Sequence, residues 1–203
     1  MDYVIHSHRY GVSILETAEE YRDIWQEIKN VIENINDQMI IEKFQERHSN
    51  QKSISRSINE LLKESFILLG WQEESPIFQE SEYIGDTWRL DFAKENISME
   101  VAFNHGSVVA WNLLKPVLAS ELNHVKKAIQ TKIGVIICAT QELKIAGGFD
   151  SAVGSYEKYL NYLTPLNNQL SIPLAIIGLK APESFYIKHI RENGRNIGHV
   201  MRL

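Results

Sequence analysis

The chain is short of the features that would mark a secreted, thiol-based or membrane-embedded protein. One cysteine, Cys138, occurs in 203 residues, which rules out a disulfide framework and a structural zinc site built from thiolates. It stands inside the apolar run Ile133–Ala139, where a packed thiol is a better reading than a nucleophile. No apolar stretch is long enough to cross a bilayer, and Met1-Asp2-Tyr3 does not open a secretory leader, so a cytoplasmic protein with no membrane partner is expected. Gly147-Gly148 is not followed by Gly-Lys-Ser/Thr and no Gly-X-Ser-X-Gly occurs, so neither a P-loop nor a serine-nucleophile elbow is present. Positive charge is in deficit too: 21 Lys and Arg against 26 Asp and Glu give a net charge of -5, which weighs against a polyanionic partner. Net charge is a poor witness where carboxylates cluster, however. The cations are grouped, with Lys43, Arg47, Lys52 and Arg56 in one region, Lys115, Lys126, Lys127 and Lys132 in another, and Lys188, His189, Arg191, Arg195 and Arg202 at the end.

What is present is an ordinary globular composition, 44% hydrophobic and 23% charged, with no linker to divide it. A single domain over 1–203 is expected. Its most informative stretch is 88–105, which alternates as two strands. Trp88, Leu90 and Phe92 share one face, Arg89, Asp91 and Ala93 the other; Met99, Val101 and Phe103 then oppose Ser98, Glu100 and Ala102. With Glu95-Asn96 as a two-residue connection, Phe92 pairs with Met99 and Asp91 falls opposite Glu100 on a polar face. Like charges so placed repel and ask for a cation, and a hard divalent metal is the natural one. Removing either carboxylate is then expected to leave metal-free stability level or slightly higher. The plain alternative is an exposed acidic face of an amphipathic hairpin.

Around this hairpin the pattern is mixed α/β. Segment 3–10 is extended and carries His6 and His8 on one face, too few ligands for zinc. Thr17 and Glu20 have capping-box spacing ahead of a long amphipathic helix through Tyr21, Trp25, Ile28 and Ile35. Residues 40–50 are ambiguous, and Ser53 or Ser55 can cap a helix ending at Gly70, on which Glu60 and Lys63 form a surface ion pair by default. Ser75-Pro76 leads irregularly into the hairpin. Beyond it, 108–129 reads as a helix with Pro116 in its first turn or kinking it, Ile133–Ala139 as a strand buried on both faces, and 141–150 as a loop. Another helix starts at Ser151 or Ser155, and 173–178 is a second buried strand. The result is a mixed central sheet flanked by helices. The basic tail, 182–203, is either a DNA-contacting arm or a solvated end.

Arg-Leu-Asp-Phe followed by Met-Glu-Val-Ala-Phe resembles the Asp…Glu-X-(Gln/Glu/Lys) signature of PD-(D/E)XK nucleases, specifically the BglII/BstYI group of type II restriction endonucleases. The likeness extends through Ser7-His8, Ile24-Trp25-Gln26-Glu27-Ile28, Ile58-Asn59-Glu60, Gly70-Trp71, Ile133–Ala139, Tyr156-Glu157 and 172–179. It implies the restriction-endonuclease-like α/β sandwich and a Mg²⁺-dependent endonuclease that cuts double-stranded DNA at a short palindrome, GATC-centred in relatives and leaving 5′ overhangs. Asp91, Glu100 and the Val101 carbonyl are the implied metal ligands, activating a water and stabilising the leaving oxygen. Asn104, His105, Ser151, Ser155, Lys188 and Arg191 are implied on the DNA side, with Ser151 at the helix start matching the base-reading loop. Glu60 and Lys63 are implied to reach in behind the metal ligands, and a homodimer through helices 113–129 and 151–166 is expected for a two-fold site.

One position departs from the pattern. The third catalytic position, Gln or Glu in close relatives, is Ala102. The substitutes within reach are His105, Asn104, Lys94, Glu60 and Lys63. Two other readings therefore stand beside the enzyme: a family member that binds DNA without cutting it, and an α/β interaction module whose carboxylates are only a polar sheet face.

Overall fold

The computed structural model describes residues 1–83, 85–121, 124–192 and 194–203. Strands β1 (Tyr3–His8), β2 (Gln72–Pro76), β3 (Arg89–Lys94), β4 (Ile97–Ala102), β5 (Ile133–Ala139) and β6 (Leu174–Leu179) form one sheet in the order β1-β6-β5-β4-β3-β2. The centre, β4-β5-β6, is parallel, and the three outer pairings are antiparallel. This is the mixed sheet expected from two apolar strands alternating with helices and joined to a hairpin.

Both faces of the sheet are covered. On one, Phe92, Met99, Val101, Val135, Ile137 and Ile177 pack under α2 (Glu19–Asn34), α3 (Asp37–Arg47) and α4 (Ser55–Leu68). On the other, Ala102, Ile136, Cys138, Leu174 and Ile176 pack under α5 (Val109–Ser120) and α7 (Tyr156–Leu163). Helix α2 has no side-chain cap, yet it buries Tyr21, Ile24, Trp25, Ile28, Val31 and Ile32. At roughly 1.5–3 kcal/mol for each fully buried large apolar side chain, packing rather than end chemistry holds it in place.

Local details depart from the sequence-based expectations, each for a tertiary reason. The first helical region is split, α1 (Gly11–Thr17) ending at Ala18, which is itself the N-cap of α2; Thr17 caps nothing and donates to the Ser13 carbonyl. Segment 40–50 belongs mostly to α3, capped by the Asn36 side chain. Ile54, not Ser53 or Ser55, is the N-cap of α4. Ser75-Pro76 is paired as β2. The supposed loop 141–150 opens with α6 (Gln141–Ala146), capped by Thr140. The helix expected over 108–129 stops at Ser120; Leu122 and Asn123 of that stretch lie outside the described residues, and 124–130 is irregular. The next helix starts at Tyr156 with Ser155 as its cap. Finally, 182–203 is not a loose end: β7 (Phe185–Glu192) and β8 (Arg195–Arg202) pair as a separate two-stranded sheet.

Helix α5 can lie flat on the sheet because β5 offers it a glycine. A Cβ on Gly134 would come 2.5 Å from Leu174 Cδ2 and 2.6 Å from Pro116 Cβ. Gly134→Ala is therefore expected to cost about 1–3 kcal/mol by overpacking, read as a lower urea midpoint at unchanged slope. An unchanged midpoint would mean that α5 is not seated through this contact.

Candidate active site

The hairpin turns at Glu95-Asn96, with Glu95 at φ 50, and Phe92 pairs with Met99 as the spacing predicts. The β3–β4 ladder ends there, and on the other side the β2–β3 register skips Asp91, with Glu74 at φ 48. Leu90 correspondingly leaves the face of Phe92 and packs with Ala93, Ile77 and Phe78, against simple alternation. Carboxylates take over the backbone groups that the ladder abandons. Asp91 Oδ2 accepts from the Val101 N–H at 2.8 Å, and Glu100 Oε1 accepts from the Asp91 N–H at 3.3 Å. The two acids are thus laced across the open mouth of the hairpin.

The exposed acidic face of the plain alternative is not what forms, and Glu100 is deeper than a polar face implies. Every residue of β4 is buried, and Glu100 is 1% exposed beneath α5. The cation that answers it is a side chain: Lys115, from the middle of α5, forms an ion pair with Glu100 Oε2 and donates to the Arg89 carbonyl at 3.0 Å. Burial pushes the Glu100 carboxyl up to about 8; the Asp91 charge adds to this, while Lys115 and the Asp91 N–H oppose it. Asp91 is also raised by burial, against the pull of Lys115 and the Val101 N–H.

A cavity of about 410 Å³ opens beside Asp91 on the α4 side, lined by Arg56, Asn59, Lys63, Glu74, Asp91 and Asn104. Glu100 does not line it. Lys63 reaches this cavity, but it forms an ion pair with Glu73 rather than with Glu60. Glu60 sits apart, 3.0 Å from His48 Nε2 without hydrogen-bond geometry and 3.7 Å from Arg47. Of the suggested stand-ins for the third motif residue, Lys94 is tied to Glu27 and the Leu69 carbonyl, and His105 Nδ1 is engaged by Ser107.

The segments implied to face DNA are sewn together. The Asn104 carbonyl accepts from Gly154 N at 3.0 Å and the Gly106 N–H donates to the Ala152 carbonyl at 2.7 Å. Inside, Asn112 Nδ2 donates to Asn104 Oδ1 at 3.0 Å and to Tyr159 Oη at 2.7 Å. Ser151 is exposed in a turn before α7, not at the helix start; Ser155 is the start, 7% exposed, and its hydroxyl accepts from Lys158 N. Lys188 and Arg191 are exposed on β7. Their hairpin lies against the same region, since His189 Nε2 stands 3.1 Å from the carbonyls of both Lys52 and Gly148.

Sequence reasoning missed Lys115, Asn112, Arg56, Asn59 and Glu74. For Lys115 a signal existed: it is the one charge in the apolar run Val-Val-Ala-Trp-Asn-Leu-Leu-Lys-Pro-Val-Leu-Ala.

Two measurements test this electrostatic account. The folded value of Glu100 lies above its ordinary 4.5, so the stability it permits is complete below that value and is lost as pH rises through about 8. Metal-free protein should lose stability across this window, and Glu100→Gln, which keeps an acceptor for Lys115 without a charge, should flatten the slope; parallel slopes would refute it. The expected gain on removing either acid is also revised. Glu100→Ala strands a lysine that is 8% exposed and should cost about 1–3 kcal/mol, whereas Asp91→Asn should stay level or rise in the same urea titrations.

A model of the family "Restriction endonuclease BglII/BglIII" matches residues 3–179. Among solved structures, the chain resembles the restriction endonuclease BglII complexed with a DNA 16-mer at a TM-score of 0.69 and 18% identity, and free BglII at 0.56 and 16%. Each comparison covers 100% of both chains. No curated protein matches in sequence. With the family model spanning nearly the whole chain and the fold of BglII around the laced carboxylates, this protein belongs to the BglII/BglIII restriction endonuclease family.

Proposed function

We propose that this site-specific deoxyribonuclease hydrolyses double-stranded DNA with Mg²⁺ held by Asp91, Glu100 and the Val101 carbonyl, at a short GATC-centred palindrome, leaving 5′ overhangs. The observation that carries the reading is the reciprocal lacing of Asp91 and Glu100 across the mouth of the hairpin. Two carboxylates and a carbonyl are a donor set for a hard cation that completes its shell with water and phosphate. Among the described residues no group of three or more His, Cys, Asp or Glu converges, which suits Mg²⁺ better than a metal caged entirely by side chains. Such a cation supplies Lewis acidity for in-line attack at phosphorus and for the departing oxygen.

The remaining work falls to the chain itself. Arg56, Asn59 and Lys63 line the cavity beside Asp91 and are suited to hold phosphate. Asn104, with its carbonyl oxygen engaged by Asn112, is left to offer its amide N–H groups, and His105 and Ser151 stand beside it to read base edges. Ser155 is better occupied as a helix cap. The basic hairpin over 182–203, with Lys188 and Arg191, is suited to reach along the backbone of the duplex as part of one domain, 1–203. A palindromic target is met most simply by a homodimer; the regions 113–129 and 151–166, which the structure fills in part with α5 and α7 packed over the same sheet face, are the proposed interface. A cytoplasmic location fits a restriction enzyme. Among the described residues no helix is long and apolar enough to cross a membrane.

A second reading, that the chain binds DNA and does not cut it, is favoured by Ala102 alone. Mixed-sequence plasmid with Mg²⁺ separates the two: discrete fragments with a constant end sequence support the nuclease, bound but uncut DNA the silent form. Asp91→Asn and Glu100→Gln should each lower single-turnover cleavage by more than the roughly 10² to 10⁴ of general-base assistance, with DNA affinity retained. Full cleavage by both would remove the metal site, and a monomer in sedimentation, free and on DNA, would remove the two-fold reading.

A further inference from the structure

The vacancy at the third motif position and the buried lysine of α5 fit each other. Ala102 follows Glu100 on the same side of β4, is 1% exposed, and packs in the cluster formed by Val109, Leu113 and Val117 of α5. A Gln, Glu or Lys at this position would drive into the helix, so the short side chain is what lets α5 settle on the strand. Helix α5 in turn sends Lys115 down to the pair of strands. Its Nζ meets Glu100 on β4 and the Arg89 carbonyl on β3, two residues before Asp91. That ammonium bridges the two strands carrying the acids, and it is 8% exposed.

Other lysines near the site have other employment: Lys63 pairs with Glu73, Lys94 with Glu27, and Lys144 donates to the carbonyls of Ser151 and Val153. Lys94 and His105 are thus engaged elsewhere, Asn104 lines the cavity beside Asp91 with its Oδ1 held by Asn112, and the side chain that reaches Glu100 comes from a helix packed across the sheet.

We infer that Lys115 stands in for the missing third motif residue as a positioning residue, its ammonium holding the Glu100 carboxylate and clamping β3 to β4 at the point where their ladder ends. This rests on the metal-site reading of Asp91 and Glu100. A fixed cation beside the carboxylates lowers their attraction for a metal through charge repulsion, while it orients Glu100 for the reaction. The two effects have opposite signs, and a merely structural lysine would not separate them.

The test uses the full chain and three variants: Lys115→Met, which keeps length and apolar packing; Lys115→Gln, which keeps a donor and tolerates imperfect packing; and Glu100→Gln as the reference. Mn²⁺ affinity is measured by titration of the protein, DNA affinity in Ca²⁺, and single-turnover cleavage at saturating Mg²⁺. Lys115→Met should bind Mn²⁺ as tightly as the parent or more so, bind DNA unchanged, and cut about 10²-fold more slowly or worse. Lys115→Gln should fall between Lys115→Met and the parent in rate. Cleavage within threefold of the parent overturns the inference, as does a joint loss of Mn²⁺ and DNA affinity. If Lys115→Met does not fold, Lys115→Gln is judged by the same criteria: slower cutting at undiminished Mn²⁺ affinity supports the inference, and any other result overturns it. Should Glu100→Gln cut at the parental rate, the metal-site reading itself fails; should Glu100→Gln be inactive while both Lys115 variants cut normally, only the role of Lys115 is lost.

Discussion

A carboxylate withdrawn from water in the middle of a sheet has to be met by donors or by a cation, and Glu100 imposes that requirement on its neighbours. It is 1% exposed under α5, where an unpaired charge is not tolerated. Three features answer it: the interrupted β3–β4 ladder that frees the Asp91 N–H, the ammonium of Lys115, and a carboxyl shifted up to about 8. Asp91 intensifies the demand from across the hairpin, and its own carboxylate is accommodated by the Val101 N–H that the same interruption releases. The break in the ladder is therefore not a defect. It is the way two acids, one of them fully buried, are kept adjacent.

Helix α5 carries this arrangement to the rest of the molecule. Pro116 sits over Gly134 of β5 and Leu113 packs in the same core cluster as Ala102 of β4, which sets the helix low on the sheet. One turn before Lys115, Asn112 ties Asn104 to Tyr159 of α7. A single helix thus touches Glu100, Asn104 just past the end of β4, and the helix behind the segment carrying Ser151. Lys144 of α6 holds that segment from the other side through the Ser151 and Val153 carbonyls. A displacement of α5 would be felt at the acids and at this segment together.

The hairpin and its carboxylates were legible in the sequence because period-2 alternation and a two-residue turn are local. So were the buried strands β5 and β6, whose uninterrupted apolar runs need no partner to be recognised. The environment of the acids was not legible. Ser98, Glu100 and Ala102 read as a polar row opposite the apolar one, and only the parallel pairing of β4 to β5 with α5 above shows that row to be buried. Lys115 lies fifteen residues from Glu100 in sequence and reaches it only through the crossover, so the cation was assigned to a metal alone. Capping was misplaced at Thr17 because packing holds α1 and α2 without a side-chain cap. Helix α6 is six residues long and carries too little periodicity to register.

The raised carboxyl at Glu100 also bears on how the site would acquire its metal. Holding Glu100 out of water beside Asp91 costs folding free energy at neutral pH, a cost that Lys115 only partly offsets, since the upward shift survives its presence. On the proposed reading, a divalent cation bound between the acids would remove part of that cost, so some of its affinity would be relief of electrostatic strain already built into the fold. A stronger fixed cation in place of Lys115 would make the metal-free protein more stable and the metal less wanted. Removing the cation would raise the cost of holding the pair together. A single lysine, reaching one acid directly and the other through space, lies between those limits. It lets the protein fold with its acids in place and Glu100 only partly compensated.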